Sequence, residues 1–190
     1  MRKTILTSLG LLLSMPATAA WQLDETESTM HFLSTKNAQI TELHTFESLS
    51  GTISDSGELT VTIPLSSVNT SIEIRDTRMK EKLFETSQYP KAVFSASLSQ
   101  DILGMAAGES GIYTVEGAID LHDQNVATTF NVAVSRLDDA TFRVTTVAPT
   151  LLSAGDFGLA DGVKTLQAIA GLDSISMTVP VTFSVVFDKQ

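Results

Sequence analysis

Residues 59–98 read LTVTIPLSSVNTSIEIRDTRMKEKLFETSQYPKAVFSASL, and the apolar period changes twice within them. Leu59, Val61, Ile63 and Leu65 alternate with Thr60, Thr62 and Pro64, the pattern of a strand with one apolar and one polar face. Ser66 to Ser71 is hydroxyl-rich loop. From Ile74 to Phe84 the spacing lengthens to that of a helix: Met79 and Leu83 share a face, Arg78, Lys80, Glu81 and Lys82 occupy the rest, and Asp76 is the expected N-cap. Tyr89-Pro90 ends helical geometry, because a residue before proline is pushed to extended angles. Ala92, Phe94, Ala96 and Leu98 then restore period two. The block predicts strand, loop, short helix and strand, in that order.

Outward from it, period two dominates. Phe130, Val132 and Val134 alternate with Thr129, Asn131 and Ala133, and Phe142, Val144 and Thr146 with Arg143 and Thr145. At the C-terminus Ile175, Met177, Val179, Val181, Phe183, Val185 and Phe187 alternate with small or polar residues, broken only at Val186. A strand over these residues would run about 40 Å and, tilted by about 40°, form a wall about 30 Å tall. So long a strand must coil, and closing the sheet removes its edges. Turn signals at 54–57, 103–111, 122–125 and 137–140 fit an antiparallel meander. A second helix is predicted over 161–171, with Val163, Leu166, Ile169 and Ala170 on one stripe and Gly171 as its stop.

Residues 1–20 read as a secretory signal: Arg2-Lys3, an apolar run from Ile5 to Met15, then Ala17-Thr18-Ala19 before cleavage after Ala19 or Ala20. Removing Arg2 and Lys3 with it leaves 10 basic against 22 acidic residues, a net charge of −12. Such a surface repels phosphate backbones and anionic headgroups, which argues against nucleic acid and permits at most transient membrane contact. About 170 residues remain, enough for one domain, 21–190, with one substantial core. Cysteine is absent, so no disulfide framework is available.

Catalytic and cofactor chemistry find little to build on. His31, His44 and His122 lack metal-ligand spacing, and His122 beside Asp123 reads as an exposed turn residue. No Gly-x-Ser-x-Gly elbow, dinucleotide fingerprint or phosphate loop occurs. The pairs Asp24-Glu25 and Asp138-Asp139 would point to opposite faces of a strand. The expectation is a protein without catalytic residues, cofactor or metal.

Several motifs together carry a resemblance: Ser67-Val68-Asn69-Thr70, Arg75-Asp76, the helix ending at Phe84, Tyr89-Pro90 and Val93-Phe94-Ser95-Ala96. Trp21-Gln22-Leu23-Asp24, Ser28, Phe32, Gly51, Gly57, Val115 to Leu121 and Asp156-Phe157-Gly158-Leu159 extend it over nearly all of the mature chain. The chain resembles the YceI-like family of periplasmic polyisoprenoid-binding proteins, departing from it at Glu27, where the family has His, and at Ala154-Gly155, where it has Arg-Ser. The resemblance implies an all-β protein with minor helix, a lipocalin-like antiparallel barrel of about eight strands with one or two short helices. It also implies a periplasmic location and an elongated apolar interior.

Alternation alone leaves open whether a small barrel is filled or hollow. Under the resemblance, Phe32, Ile63, Phe94, Phe130, Phe142, Met177, Val179 and Phe183 are expected to line a tunnel, with Met79, Leu83 and Phe84 closing it. Two roles are open to Arg75 and Arg78: a forked grip on a lipid head group, or a fastening of the helix to the barrel beneath a capping Asp76. The leading expectation is a binding protein for a long isoprenoid lipid, a polyprenyl chain or quinone tail, acting as a monomer or homodimer. The rivals are a non-catalytic stress-related or interaction protein built on a filled barrel, and an enzyme acting on a lipid within it.

Overall fold

A computed structural model describes residues 19–190; the expected signal lies outside them but for its last two residues. The strands are β1 (Ala19–Lys36), β2 (Ile40–Phe46), β3 (Ser50–Ser54), β4 (Glu58–Pro64), β5 (Val68–Asn69) and β6 (Lys91–Ser97). They continue as β7 (Ser110–Leu121), β8 (Gln124–Arg136), β9 (Thr141–Thr146), β10 (Thr150–Ser153) and β11 (Thr178–Lys189). Hydrogen bonds close the sheet in the order β1-β3-β4-β6-β7-β8-β9-β11 and back to β1, antiparallel throughout. These eight strands are the barrel wall. The other three prolong it: β2 pairs with the far half of β1, β5 pairs with β2, and β10 pairs with the first residues of β11.

The period-two residues face inward as the sequence predicts, because alternate side chains of a strand lie on opposite faces. Phe130, Val132, Val134, Phe142, Val181, Val185 and Phe187 are all buried. β11 starts at Thr178 rather than at Ile175; Ile175 makes only an isolated bridge to Lys36. The longest strand is β1, which turns a corner at an irregularity where its pairing with β11 jumps from Asp24 to Thr29. Asp24 Oδ1 accepts from the backbone N–H and the hydroxyl of Thr26, both at 2.7 Å, and Val186 N–H donates to buried Ser28 Oγ at 3.0 Å. The corner lets one strand pair with β3 below and with β2 above.

The described residues also form three α-helices, α1 (Glu73–Arg78), α2 (Gln100–Leu103) and α3 (Ala160–Ala170). α1 runs on into a wider turn at Met79–Leu83, where Phe84 N–H donates to Met79 C=O five residues back at 2.9 Å. α3 lies across this turn and ends, as predicted, at Gly171 in the left-handed region. α2 lies just before the stretch expected to be turn, sharing only Leu103 with it, and buries Ile102 at one end of the barrel.

The β1–β2 connection places Ala38 at φ 59°, where an L side chain with a Cβ is strained. Ala38→Gly should therefore raise stability by about 0.5–1 kcal/mol, read as an increased urea midpoint with unchanged slope.

Candidate binding cavity

The barrel is hollow. A cavity of about 570 Å³ runs through its interior, within the usual range of roughly 300–1,000 Å³ for small-molecule sites. At one end it meets Phe142 and Phe187, beside the α2 residues Ile102 and Leu103. Trp21 backs this floor, edge-on to Phe142 with ring centres 4.7 Å apart, and the Arg136 guanidinium covers both rings at 4.9 and 4.6 Å. At the other end the lining includes Ile72 and Ile74 of the α1 region and Ile169 of α3, which are 46%, 57% and 43% exposed. Lining residues that also meet solvent mark this end as the mouth.

Of the expected tunnel residues, Phe32, Ile63, Phe94, Phe130, Phe142, Val179 and Phe183 line the cavity, as do Met79, Leu83 and Phe84 from the lid. Met177 does not. It precedes β11, and its carbonyl accepts from Ala154 N–H at 2.8 Å, so the period-two pattern had no strand to act on at that residue. Phe94, Phe130 and Phe183 stack edge to face, 5.1 and 5.3 Å between centres, and narrow the cavity midway.

The mouth is fastened by charge. Arg75 Nη1 donates to Glu42 Oε2 at 2.7 Å, while its Nε and Nη2 donate to Thr70 Oγ1 and Thr70 C=O at 2.8 and 2.7 Å. Lys36 Nζ shares Glu42 Oε2 at 2.6 Å. Asp76 is not an N-cap: it sits inside α1, and its Oδ1 accepts from the N–H and the hydroxyl of buried Thr70. The hydroxyl-rich loop thus needs Asp76 as the acceptor that its own backbone cannot supply, and Thr70 links both halves of the Arg75-Asp76 pair. Three of Arg75's five donors are committed to fixing the lid. Arg78 also lines the mouth and has no ion-pair partner among the described residues.

The bond from Lys36 first, then the charge and bond of Arg75, hold the Glu42 carboxyl below its ordinary value of 4.5, against the opposing effect of burial. A lowered folded value means that the fastening is complete above that ordinary value and fades as pH falls through the lower one. Glu42→Gln should cost about 0.5–1 kcal/mol at neutral pH, as for a partly exposed ion pair. It should also lower the amide-exchange protection factors of residues 72–84, and acidification of the native protein should lower them too; unchanged protection in both cases would show that the lid is held by apolar packing alone.

His122 is not the exposed turn residue that the sequence suggests. It heads the two-residue β7–β8 hairpin at φ 56°, stacks on Tyr89 with centres 4.0 Å apart, and meets Glu85 Oε2 at 3.1 Å. It ties the chain just after the lid to the barrel rim. Ser34 and Glu42 do not stand out in the sequence, and His44 is weighed there only as a metal ligand; the three fall on one face of β1 and β2 near the mouth, where Ser34 and His44 line the cavity. Their only signal is parity: Glu42, His44 and Phe46 fall on one face, and a hydrophobic count does not register that face. No cluster of three His, Asp or Glu side chains suited to a metal occurs among the described residues.

The comparisons agree with this architecture. The YceI-like domain pattern matches residues 21–187. A polyisoprenoid-binding domain from Saccharophagus degradans implicated in plant cell wall breakdown is 36% identical and superposes with a TM-score of 0.88, over 91% of this chain and 100% of that one. BcnA of Burkholderia cenocepacia (18% identity, TM-score 0.64, 86% of this chain and 98% of that) shares the fold. So does the Campylobacter jejuni YCEI protein (11%, TM-score 0.52, 99% and 94%). None of the curated proteins matches the chain. With the pattern spanning nearly all of the barrel and a relative of this identity over its full length, the chain belongs to the YceI-like family.

Proposed function

We propose that this protein is a carrier for a long isoprenoid lipid, a polyprenyl chain or the tail of a quinone, held in the barrel cavity with its head group toward the mouth. The observation that carries this reading is the cavity itself: hollow, elongated and almost wholly apolar between the Phe142 floor and the Arg75 mouth. Each buried CH2 contributes about 0.8 kcal/mol, so a prenyl chain needs few polar contacts to bind there. The similarity to a polyisoprenoid-binding domain supports the same ligand class. YceI-like barrels are non-catalytic, lipid-binding and typically periplasmic. Export through cleavage of residues 1–20, and work as a monomer or homodimer in that compartment, complete the proposal.

The test is extraction. Mature protein purified without detergent is extracted with organic solvent, and the extract is quantified by mass spectrometry. A prenyl lipid near one per chain is the expected result. Protein that is free of lipid and takes up neither added quinone nor polyprenyl phosphate would instead place its function on the outer surface of the barrel.

A further inference from the structure

Up the wall formed by β1 and β2, the inner side chains change character in steps. Met30 faces Phe46, Phe32 faces His44, and Ser34 faces Glu42, with Lys36 at the top. The wall passes from apolar to neutral polar to charged, and the neutral step lines the cavity. There His44 is 4% exposed, with its ring 5.2 Å from the Phe32 ring. Its Nε2 lies 2.8 Å from Ser34 Oγ. Its Nδ1 is buried and has no partner. The only other such atom among the described residues is His31 Nδ1, and His31 does not line the cavity. Buried polar atoms are paired in folded proteins as a rule, and an orphan on a residue that lines a cavity calls for a partner from a ligand seated against that ring.

We propose that His44 and Ser34 form the head-group site, taking an uncharged oxygen of the isoprenoid lipid, carbonyl or hydroxyl, at His44 Nδ1. This rests on the carrier reading and adds to it which head group is chosen. Burial first, and then the nearby Arg75 charge, lower the basicity of His44, so the ring is neutral at physiological pH. A neutral imidazole has one donor and one acceptor nitrogen. When Ser34 donates to Nε2, Nδ1 carries the proton and donates to a carbonyl. When Ser34 turns its hydroxyl and accepts from Nε2, Nδ1 is left to accept from a hydroxyl. A rotation of the serine hydroxyl together with a change of imidazole tautomer, the ring proton passing from Nδ1 to Nε2, therefore adapts the site to either the oxidised or the reduced form of a ring such as a quinone. A phosphate would be drawn to the mouth and not to the His44 step: the single Glu42 carboxylate is shared by Lys36 and Arg75, and Arg78 beside them has no ion-pair partner among the described residues.

The test uses four probes that share one four-isoprene tail: the alcohol, the benzoquinone, the monophosphate and the hydrocarbon without a head. Binding to detergent-free mature protein is measured for the native chain, His44→Phe and Ser34→Ala, each checked for folding by its urea midpoint. The native chain should prefer alcohol and quinone over hydrocarbon by about tenfold, the size of one hydrogen bond to a buried group. His44→Phe should bring the ratio of head-bearing to hydrocarbon affinity close to one, and Ser34→Ala should lessen that ratio for alcohol and quinone alike, because Nε2 then loses the partner that orients the ring. If His44→Phe does not fold, nitrogen-resolved NMR of the native protein decides, since quinone must shift Nδ1 and hydrocarbon must not. An intact preference in folded His44→Phe, no Nδ1 shift, or a native preference for the phosphate would overturn the His44 site while sparing the carrier. Failure of every probe, hydrocarbon included, would overturn both.

Discussion

Phe183→Trp and Val179→Trp are each expected to lower isoprenoid occupancy by about tenfold or more, equivalent to about 1.4 kcal/mol, while the protein stays folded. Both side chains point inward from β11 and line the cavity. Phe183 sits 5.3 Å from Phe130, which in turn sits 5.1 Å from Phe94, so three rings on β11, β8 and β6 already narrow the passage. An indole at either position takes up space that a lipid tail would otherwise fill. The two accounts of the barrel differ in sign here. In a filled core the larger side chain would overpack and cost about 1–3 kcal/mol with no ligand to lose. In a hollow barrel the indole enters empty volume, stability barely changes, and binding falls. Lipid per chain and the urea midpoint, measured on the same samples, separate the two. The native chain has a single tryptophan, Trp21 at the floor, so the new indole is also a fluorescent reporter of lipid contact.

Why the barrel was legible and its mouth was not follows from what alternation encodes. Leu59, Val61 and Ile63 on β4, and Phe130, Val132 and Val134 on β8, are strand residues that line the apolar part of the cavity. There hydrophobicity and direction carry the same information. The eight-strand expectation also holds because β2, β5 and β10 prolong existing walls instead of adding new ones. Where the chain exchanges partners, the correspondence fails. Met177 continues the apolar pattern into a segment that is not strand, and the corner at Asp24 to Thr29 depends on hydrogen bonds accepted by Asp24 and Ser28 that no period announces.

The mouth is polar and long-range, and so it is nearly silent in the sequence. Arg75 and Glu42 are 33 residues apart, and nothing local says that they meet. The motif Arg75-Asp76 was visible as a pair, yet the roles divided differently from the expected cap: both side chains converge on Thr70 instead. His44 was dismissed for lack of a metal partner, a correct reading of spacing that says nothing about burial. Its orphaned nitrogen appears only once β1 and β2 are laid side by side.

Gly162→Leu should loosen the lid and cost about 1–3 kcal/mol, a fall in Tm of roughly 2–10 °C for a domain of this size. By propensity alone the opposite is expected, since glycine inside a helix is worse than alanine by about 0.8–1 kcal/mol and leucine ranks next to alanine. Packing decides the sign. A Cβ at Gly162 would lie 2.8 Å from the Lys82 carbonyl oxygen and 3.0 Å from Leu83 Cα, and both are backbone atoms that cannot swing aside. α3 must then lift from the turn at Met79–Leu83, which carries the side chains closing the cavity. Gly162→Ala puts the same Cβ against the same backbone atoms, so it should also lose stability, by less than the leucine variant because the helical gain offsets part of the steric loss. The leucine variant adds a branched side chain to the same contact, so its loss should dominate. Faster release of bound lipid should accompany the lower Tm, because Met79, Leu83 and Phe84 would no longer be pressed onto the barrel. A leucine variant more stable than the native chain would show that α3 rides free of the lid, and the close approach at Gly162 would then have no part in holding the cavity shut.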